Sequence, residues 1–451
     1  MAFRRLLGSR AAGPRLAAAA AGALGIGTGV SALQQHGALR SAAEPAPSPP
    51  ARLQQAASAV QRLYCWGQLA PSTDTAEQPA RMVEREPVDV SFWSSRGLTV
   101  SQVQYGGAFA VALDNKGGLW AWSAEAGPTP RQLPCRSRLR SLACSPNSLY
   151  AVTSGGYVLE WRDLGAALHS TDSPLPPEPK PLGGALSRVS ATSVAAGEDH
   201  VLVVGKRGEL VGWGDNRRGQ LGLGDPAATP RSEAPALLPL PSPAVQAACG
   251  AAHSVVVLAD GSAYSFGDDR NLQLGQRDTS IKAMRNKQTT YKTEVDSPKR
   301  VRLLEGKRVV GAACGGGGLE RGHTVFIVRT EEGDELWACG HGRWGQLGLK
   351  TYSHISEPRL VGTLSGLREY DEASRRVVGI RVVALGCGER HTAALLGTGN
   401  VFVWGWNDQG QLGDGGRAAT PTPTMVRAPA DLRFSVLRGL AVGPHSTAAW
   451  S

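Results

Sequence analysis

Short apolar runs separated by glycine-bearing turns recur along most of the chain. One clear unit has a turn at 197–200, an apolar run at 201–204 and a second turn at 206–208. Its next strand ends in Trp213-Gly214 and is followed by Gly-Gln-Leu-Gly at 219–222. Apolar runs of this length between glycines are typical of buried β-strands. The pattern predicts small sheets of short strands.

The unit of turn, strand, turn and strand repeats, and its two landmarks can be counted. The opening turns lie near Gly106, Cys144, Gly197, Gly250, Gly315, Gly388 and Gly443. The strands that end in an aromatic residue, or in its cysteine variant, end at Trp66, Trp122, Trp161, Trp213, Phe266, Cys339 and Trp404. Each set has seven members. Repeats of this length and pattern predict blades packed around a ring.

The two chain ends carry complementary halves of one repeat. The strand ending at Trp66 has no opening strand before it, and the opening strand at Ala441 has no aromatic strand after it. We therefore predict an all-β, seven-bladed propeller over 60–451 that is closed by pairing 448–450 with 63–66. Closure of this kind leaves no exposed sheet edge at the seam.

Histidine and cysteine recur at fixed repeat positions. Histidines at 200, 253, 323, 391 and 445 are assigned to one position, where we expect them to brace a turn by hydrogen bonding. Phe109 occupies that position in the degenerate first repeat. Cys249, Cys314 and Cys387 precede glycine, and the chain has no Cys-x-x-Cys pair. The spacing predicts small buried side chains, with no metal site and no disulfide framework.

The first 43 residues are unlike the rest. They hold arginines at positions 4, 5, 10, 15 and 40 and no acidic residue, and they supply half of the formal net charge of +10. A basic, acid-free, alanine-rich start predicts a mitochondrial presequence over 1–43. The uncharged stretch 16–33 is a candidate membrane segment. It can be part of a cleaved transit peptide, an inner-membrane anchor or sorting signal, or a secretory apolar region. Residues 44–59 read as a Pro/Ala-rich linker.

The combined order Cys-Gly-x-x-His, Trp-Gly and Gly-Gln-Leu-Gly resembles the repeat of the regulator-of-chromosome-condensation family. That resemblance implies a seven-bladed propeller of RCC1 repeats that works by surface contact. The founding member is an exchange factor for a small GTPase, which makes Glu198 and Asp199 a candidate exchange-factor turn. Plant UV-B receptors of this fold carry Gly-Trp-Arg-His-Thr at the turn. Here 388–392 has glutamate in place of that tryptophan, which argues against a photosensor.

Mitochondrial members of the family supply the leading functional hypothesis. It is a non-catalytic, monomeric scaffold or assembly factor at the inner membrane or in the matrix, for a respiratory complex of the cytochrome bc1 type. The alternatives are an exchange factor for a small or mitochondrial GTPase and a factor that binds ribosomal RNA during mitoribosome assembly. The chain has no Walker A, Gly-x-Ser-x-Gly or His-Glu-x-x-His motif, so we expect no enzyme and no cofactor.

Three segments interrupt the repeats. The insertion 276–300 is a basic loop that we expect to contact a protein, ribosomal RNA or acidic lipid, unless it is only a solvated loop. Its candidate partner-binding residues are Arg277, Lys282, Arg285, Lys287, Tyr291 and Lys292. The glycine run 315–318 is predicted to be an enlarged turn, because a phosphate loop would need a helix after it. The proline-rich segment 168–186 reads as a spacer.

Overall fold

The computed structural model describes residues 62–68, 83–123, 129–169, 174–276, 293–318, 322–371, 375–426 and 437–451, and the backbone of 24–26. Within this part of the chain, no helix has both the length and the apolar character needed to span a bilayer. The predicted presequence 1–43 and linker 44–59 lie outside it, apart from the short strand Leu24–Ile26. That strand pairs in parallel with 246–248.

The repeats form seven antiparallel sheets, which we number as blades 1 to 7. The strands of blade 1 are Val100–Tyr105, Phe109–Asp114, Leu119–Ser123 and Arg131–Leu133. Those of blade 2 are Leu139–Cys144, Leu149–Thr153 and Val158–Trp161. Those of blade 3 are Ala191–Ala196, His200–Gly205, Leu210–Asp215 and Arg231–Leu238. Those of blade 4 are Ala244–Cys249, His253–Leu258, Ala263–Asp268 and Glu294–Arg300.

The second half of the ring continues this order. The strands of blade 5 are Arg308–Gly315, His323–Thr330, Gly333–Gly340 and Ile355–Leu360. Those of blade 6 are Val382–Cys387, His391–Leu396, Val401–Gly405 and Thr420–Met425. Those of blade 7 are Gly439–Val442, Ser446–Trp450, Leu63–Gly67 and Glu84–Asp89. A separate hairpin, Arg368–Asp371 with Arg376–Gly379, lies between blades 5 and 6.

Helices are short in the described part of the chain and lie only in the connections. The α-helices are Ser91–Ser95 and Leu164–Ala167. The 3-10 helices are Gly184–Arg188, Arg302–Leu304 and Gly362–Leu364. The predicted all-β, seven-bladed propeller is therefore confirmed.

Blade 7 contains both ends of the propeller, as the repeat count predicts. Leu63 pairs with Trp450, and Cys65 pairs with Ala448, in an antiparallel register. The backbone N–H of Ser451 also donates to the carbonyl of Arg62 over 3.2 Å. The closing strand is joined on both sides, so the ring has no open edge at the seam.

Blade 2 departs from the expected four strands, since three are found among the described residues. The proline-rich segment 174–182 runs beside it, and the N–H of Leu182 donates to the carbonyl of Val158 over 2.8 Å. Proline has no N–H to donate to a ladder, so this segment cannot complete a regular outer strand. The predicted spacer thus covers the outer edge of its own blade.

The apolar core lies between the blades. The side chains of Tyr150 in blade 2 and of Val194 and Val203 in blade 3 share one buried cluster. Tyr64 in blade 7 and Val403 in blade 6 share another. Sheets packed on both faces require strands that are apolar on both sides, which explains the continuous apolar runs in the sequence.

A repeated hydrogen-bond relay connects each blade from 3 to 6 with the next. The Nε2 atom of His253 in blade 4 lies 3.1 Å from the hydroxyl of Thr324 in blade 5. That hydroxyl donates to the backbone carbonyl of Gln273, back in blade 4, over 2.7 Å. The equivalent relays are His200–Ser254–Gln220, His323–Thr392–Gln346 and His391–Thr447–Gln411. The glutamines are those of the Gly-Gln-Leu-Gly segments and, for Gln273, of the variant Leu-Gln-Leu-Gly at 272–275.

The relay fixes the protonation state of the imidazoles. Each hydroxyl donates its hydrogen bond to a carbonyl. The Nε2 atom of the histidine must therefore carry the hydrogen and donate to the hydroxyl oxygen. The Nδ1 atoms of His200, His253 and His391 are buried with no hydrogen-bond partner among the described residues. Burial lowers the pKa of His200 to about 4, and burial lowers the pKa of His253 and of His391 to about 3. These histidines are neutral structural groups.

The glycine before each relay histidine is required by the close approach of the ring. A Cβ atom on Gly250 would lie 2.1 Å from Cε1 of His253. In blade 1 the buried Phe109 takes the histidine position, as predicted, and a Cβ on Gly106 would lie 2.3 Å from its ring.

The predicted alignment of His445 with the relay histidines is wrong. Gly443 donates to the carbonyl of Ser446, just as Gly388 does to the carbonyl of His391, so Ser446 holds the repeat position. His445 lies one residue earlier, in the turn. The turn has the same length as in the other blades, but the histidine lies one residue earlier in it. The sequence pattern does not show which residue pairs with the neighbouring strand, so it could not reveal this.

We expect His391→Ala to lower the free energy of unfolding by about 3 kcal/mol, because it removes a link between blades and leaves a cavity. Urea unfolding followed by circular dichroism measures this. The matched control is His445→Ala, expected to cost about 0.5 kcal/mol or less, since His445 is not in the relay. Equal losses in the two variants would contradict the relay.

We expect stability to fall as the pH is lowered from about 6.5 toward 4. His200, His253 and His391 have a folded pKa below their unfolded value, so the unfolded chain binds more protons in this window. Each contributes a slope of about 1.4 kcal/mol per pH unit. Above about pH 7 their contribution is fully present.

The control for this prediction is His253→Phe, which copies the native arrangement at Phe109. We expect the dependence of unfolding free energy on pH to become shallower by one proton in this variant. An unchanged slope would show that His253 titrates alike in the folded and unfolded chain.

Candidate functional site

One side of the ring carries most of the turns that the repeats have in common. We call it the turn face. It contains the turns between the first and second strands of each blade and the segments that follow each third strand. Function in rigid scaffolds concentrates in such connections.

The inner rim of the turn face is a set of turns joined by backbone hydrogen bonds. The N–H of Glu198 in blade 3 donates to the carbonyl of Ala251 in blade 4 over 3.3 Å. The N–H of Gly316 donates to the carbonyl of Gly388 over 3.0 Å, and the N–H of Glu389 donates to that of Pro444 over 3.2 Å. These bonds hold neighbouring turns in fixed relation.

The glycine run of blade 5 begins at the last residue of the strand Arg308–Gly315, and its described part, 316–318, reaches the candidate exchange-factor turn. The N–H of Gly318 donates to the Glu198 carboxylate. A Cβ atom on Gly317 would lie 2.4 Å from the Glu389 carboxyl carbon, so a side chain there would displace the turn. Burial raises the pKa of Glu198, opposed by the Gly318 hydrogen bond and reinforced by the nearby charges of Asp199 and Glu389.

The two residues of the candidate exchange-factor turn therefore differ. The carboxylate of Glu198 is partly buried and accepts a backbone hydrogen bond, whereas Asp199 is exposed. Asp199 alone remains as an accessible acidic group of this turn. The exchange-factor hypothesis stays a prediction.

A second group of side chains lies on the turn face across blades 5, 6 and 7. The guanidinium carbon of Arg390 lies 4.4 Å from the ring centre of Trp406 and 5.3 Å from that of Trp344. The two indoles are 6.2 Å apart, and the ring of His445 lies 5.7 Å from Trp406. All four side chains are partly exposed. We call these four residues the aromatic–arginine cluster.

The aromatic–arginine cluster is continuous with the inner rim. Nε2 of His445 lies 3.8 Å from a carboxylate oxygen of Glu389, which itself lies beside Gly317. A chain of contacts thus runs from the centre of the turn face to its aromatic sector. Aromatic rings and arginine are the residue types most enriched at energetically important protein contacts.

The candidate basic loop is only partly described. Its proposed contact residues, from Arg277 to Lys292, lie outside the described residues, so they stay a prediction. Lys299 and Arg300 belong instead to the fourth strand of blade 4, Glu294–Arg300. The insertion predicted over 276–300 therefore ends before this strand. The mixed charges of the segment did not indicate that a strand begins there.

The cysteines and carboxylates offer no constellation for metal chemistry in the described ranges, where no group of three or more potential ligands comes together. Burial raises the pKa of Cys65 and of Cys314 to about 12. The thiol of Cys314 faces the carbonyl of Ala248 in the preceding blade, 3.7 Å away. A buried, protonated thiol packs between blades and is a poor nucleophile.

The family model of the RCC1-like domain matches residues 128–451 of this chain. The chain belongs to the RCC1-like domain family. The match covers the fourth strand of blade 1, blades 2 to 6 and the C-terminal strands of blade 7. The resemblance carried by the Gly-Gln-Leu-Gly repeats is thereby confirmed.

Among curated relatives, the RCC1-like propeller is similar to the ultraviolet-B receptor UVR8 of Arabidopsis thaliana, with 30% identity over 321 residues. The match covers 68% of this chain and 63% of the receptor. It is also 27% identical over 368 residues to the human E3 ubiquitin-protein ligase HERC2, covering 72% of this chain and 7% of the ligase. The chain thus spans less than two thirds of either relative.

Solved structures show the same fold. Human WBSCR16 superposes with a TM-score of 0.63 at 22% identity, covering 87% of this chain and 98% of that chain. Prp20p from Saccharomyces cerevisiae, a protein with binding properties to Gsp1p and histones, superposes with a TM-score of 0.66 at 17% identity. That match covers 90% of this chain and 96% of the yeast one.

We expect Glu198→Ala to speed amide hydrogen exchange in the segment 315–318 about tenfold or more. The substitution removes the charged acceptor of the Gly318 N–H, and such hydrogen bonds hold local segments closed. Hydrogen exchange followed by mass spectrometry measures this. Asp199→Ala is the matched control and is expected to leave the exchange rate unchanged. The same rate in both variants would show that Glu198 does not hold the glycine turn.

Proposed function

We propose that this RCC1-like propeller is a non-catalytic mitochondrial assembly scaffold that binds a protein partner on its turn face. Its place of work is the inner membrane or the matrix, and its task is the assembly of a respiratory complex of the cytochrome bc1 type. The observation that carries the proposal is the partly exposed aromatic–arginine cluster on a rigid ring.

Rigidity supports a scaffold role. The relay bonds connect blades 3 to 7 in sequence, and the inner-rim bonds connect the turns above them. A surface held in this way keeps its shape when a partner binds, so little conformational entropy is lost on association. Residues buried for structural reasons occupy the positions that repeat, and the exposed variable positions remain for recognition.

The location rests on the first 43 residues. Their arginines and their lack of acidic residues favour import by mitochondria. The similarity to proteins with other partners, such as the yeast protein that binds Gsp1p and histones, supports recognition by the propeller surface in general. The proposal further identifies the partner as a respiratory complex of the cytochrome bc1 type.

We expect the tagged full-length protein to co-purify from mitochondria with subunits of a respiratory complex. The tag belongs on a linker after Ser451, because the start of the chain must stay free for import. Proximity labelling in intact cells, read by mass spectrometry, checks the result.

A variant lacking residues 1–43 is the control, and we expect it to lose the mitochondrial set of labelled proteins. Labelling confined to cytosolic or nuclear proteins by the full-length chain would refute the proposed location. Recovery of mitoribosomal subunits in place of respiratory ones would move the assignment to ribosome assembly.

A further inference from the structure

The residue that follows the glycine at the end of the third strand has the same structural task in three blades. It accepts a hydrogen bond from the side-chain amide of the glutamine in the Gly-Gln-Leu-Gly segment. Gln220 donates to Asp215, Gln273 to Asp268 and Gln346 to His341, at 2.8, 3.1 and 2.9 Å. In each case the glutamine is buried and its Nε2 atom has an acceptor.

Blade 6 breaks this rule. The residue at the same position is Trp406, which follows Gly405 and has no acceptor atom in its side chain. The Nε2 atom of Gln411 is buried without a hydrogen-bond partner in the described part of the chain. Its Oε1 accepts the N–H of Gln409 over 3.0 Å, so the amide cannot turn round to exchange the two atoms.

Trp406 thus replaces a residue that would stabilise the fold with one that does not satisfy Gln411. An unpaired buried amide is unfavourable, and proteins depart from their own local rules mainly at functional sites. The indole is also partly exposed, so its burial does not account for its presence. What it gains is contact with Arg390 and His445.

Arg390 determines the chemistry that the cluster can recognise. The Arg390 guanidinium contacts both neighbouring indoles through cation–π interactions, and its N–H groups lie in the plane of the guanidinium. Such a fork matches a carboxylate. The two adjacent indoles provide apolar surface for the groups next to that carboxylate.

The surroundings argue against a polyanion as the ligand. Glu389 lies within the same sector, and Asp408, two residues after Trp406, is exposed. Glu198 and Asp199 lie further in on the same face. Every phosphate of a nucleic acid would add to the repulsion by these charges, whereas a single carboxylate brings one negative charge, which the arginine can pair, and its apolar neighbours can pack on the two rings.

We propose that the aromatic–arginine cluster is a docking site for a partner-protein segment in which one Asp or Glu carboxylate is flanked by apolar side chains. The carboxylate binds Arg390, and the apolar neighbours pack on Trp344 and Trp406. This rests on the proposed function as a protein-binding scaffold and names the chemistry of the partner.

The decisive variant is Trp406→Asp, because it should separate stability from binding. Aspartate restores the acceptor for Gln411, so the urea midpoint is expected to equal or exceed that of the wild type. Binding of a fluorescein-labelled peptide with one glutamate between leucines, followed by anisotropy, is expected to weaken at least tenfold. An indole kept only for packing would give a lower midpoint instead.

Arg390→Gln tests the carboxylate part of the proposal. The wild type should bind the glutamate peptide at least tenfold more tightly than its glutamine counterpart, and this preference should vanish in the variant. Arg417→Gln, which removes an exposed charge elsewhere on the same face, is the matched control and should retain the preference.

The other outcomes overturn the proposal in distinct ways. No preference for the glutamate peptide in the wild type ends it. A mixed-sequence RNA 20-mer that binds more tightly than the peptide, and loses affinity in Trp406→Asp, would assign the cluster to nucleic acid. A dimer in sedimentation that dissociates in that variant would make a second copy of the chain the occupant.

The scaffold proposal can fail separately. If full-length protein captures respiratory subunits equally well with Trp406→Asp, the docking site is wrong and the scaffold role stands. If nothing mitochondrial is captured but the peptide preference holds, the docking site stands and the mitochondrial role is wrong.

Discussion

The structure depends on one hydroxyl at each contact between neighbouring blades from blade 3 to blade 7. It accepts a hydrogen bond from the imidazole of the preceding blade and donates one to the backbone carbonyl of a glutamine in that same blade. Two bonds to two segments of one sheet fix the position of the next sheet in distance and in rotation. Because the relay recurs from blade 3 to blade 7, it fixes the spacing of these five consecutive blades.

The same glutamine is used twice, which connects the relay to the surface. Its backbone carbonyl accepts from the neighbouring blade, and its side chain braces the segment after the third strand. Positions on the turn face are therefore coupled to the buried contacts below them. Trp406 is informative for this reason, since a surface residue there leaves Gln411 unsatisfied. Elsewhere on the turn face, Glu198 and the glycine turn show the opposite case, in which an acidic residue suited to recognition is used for internal bonding.

Most of the fold could be predicted from the chain because each blade is a local unit. The spacing of Gly197, His200 and Trp213 already encodes a turn and two strands, and the unmatched halves at Trp66 and Ala441 predict the closure. Prediction failed where two residues of similar type are adjacent. Either His445 or Ser446 could be aligned with the histidine position of the repeat. Only the strand pairing of Ser446 with Gly67 shows that Ser446 holds it. For the candidate site, Glu198 and Asp199 were predicted, whereas the cluster around Arg390 was missed, although tryptophan in two polar segments after a third strand was a visible signal.

The sequence by itself determined the number of blades, the seam and the family, since these follow from periodic spacing and local backbone preferences. Tertiary structure alone decided which groups meet across blades. Trp344, Arg390 and His445 are far apart in the chain and come together only because consecutive blades present equivalent turns on one face. The distance between side chains of neighbouring blades depends on how their sheets pack against each other, and no local pattern in the chain carries that information.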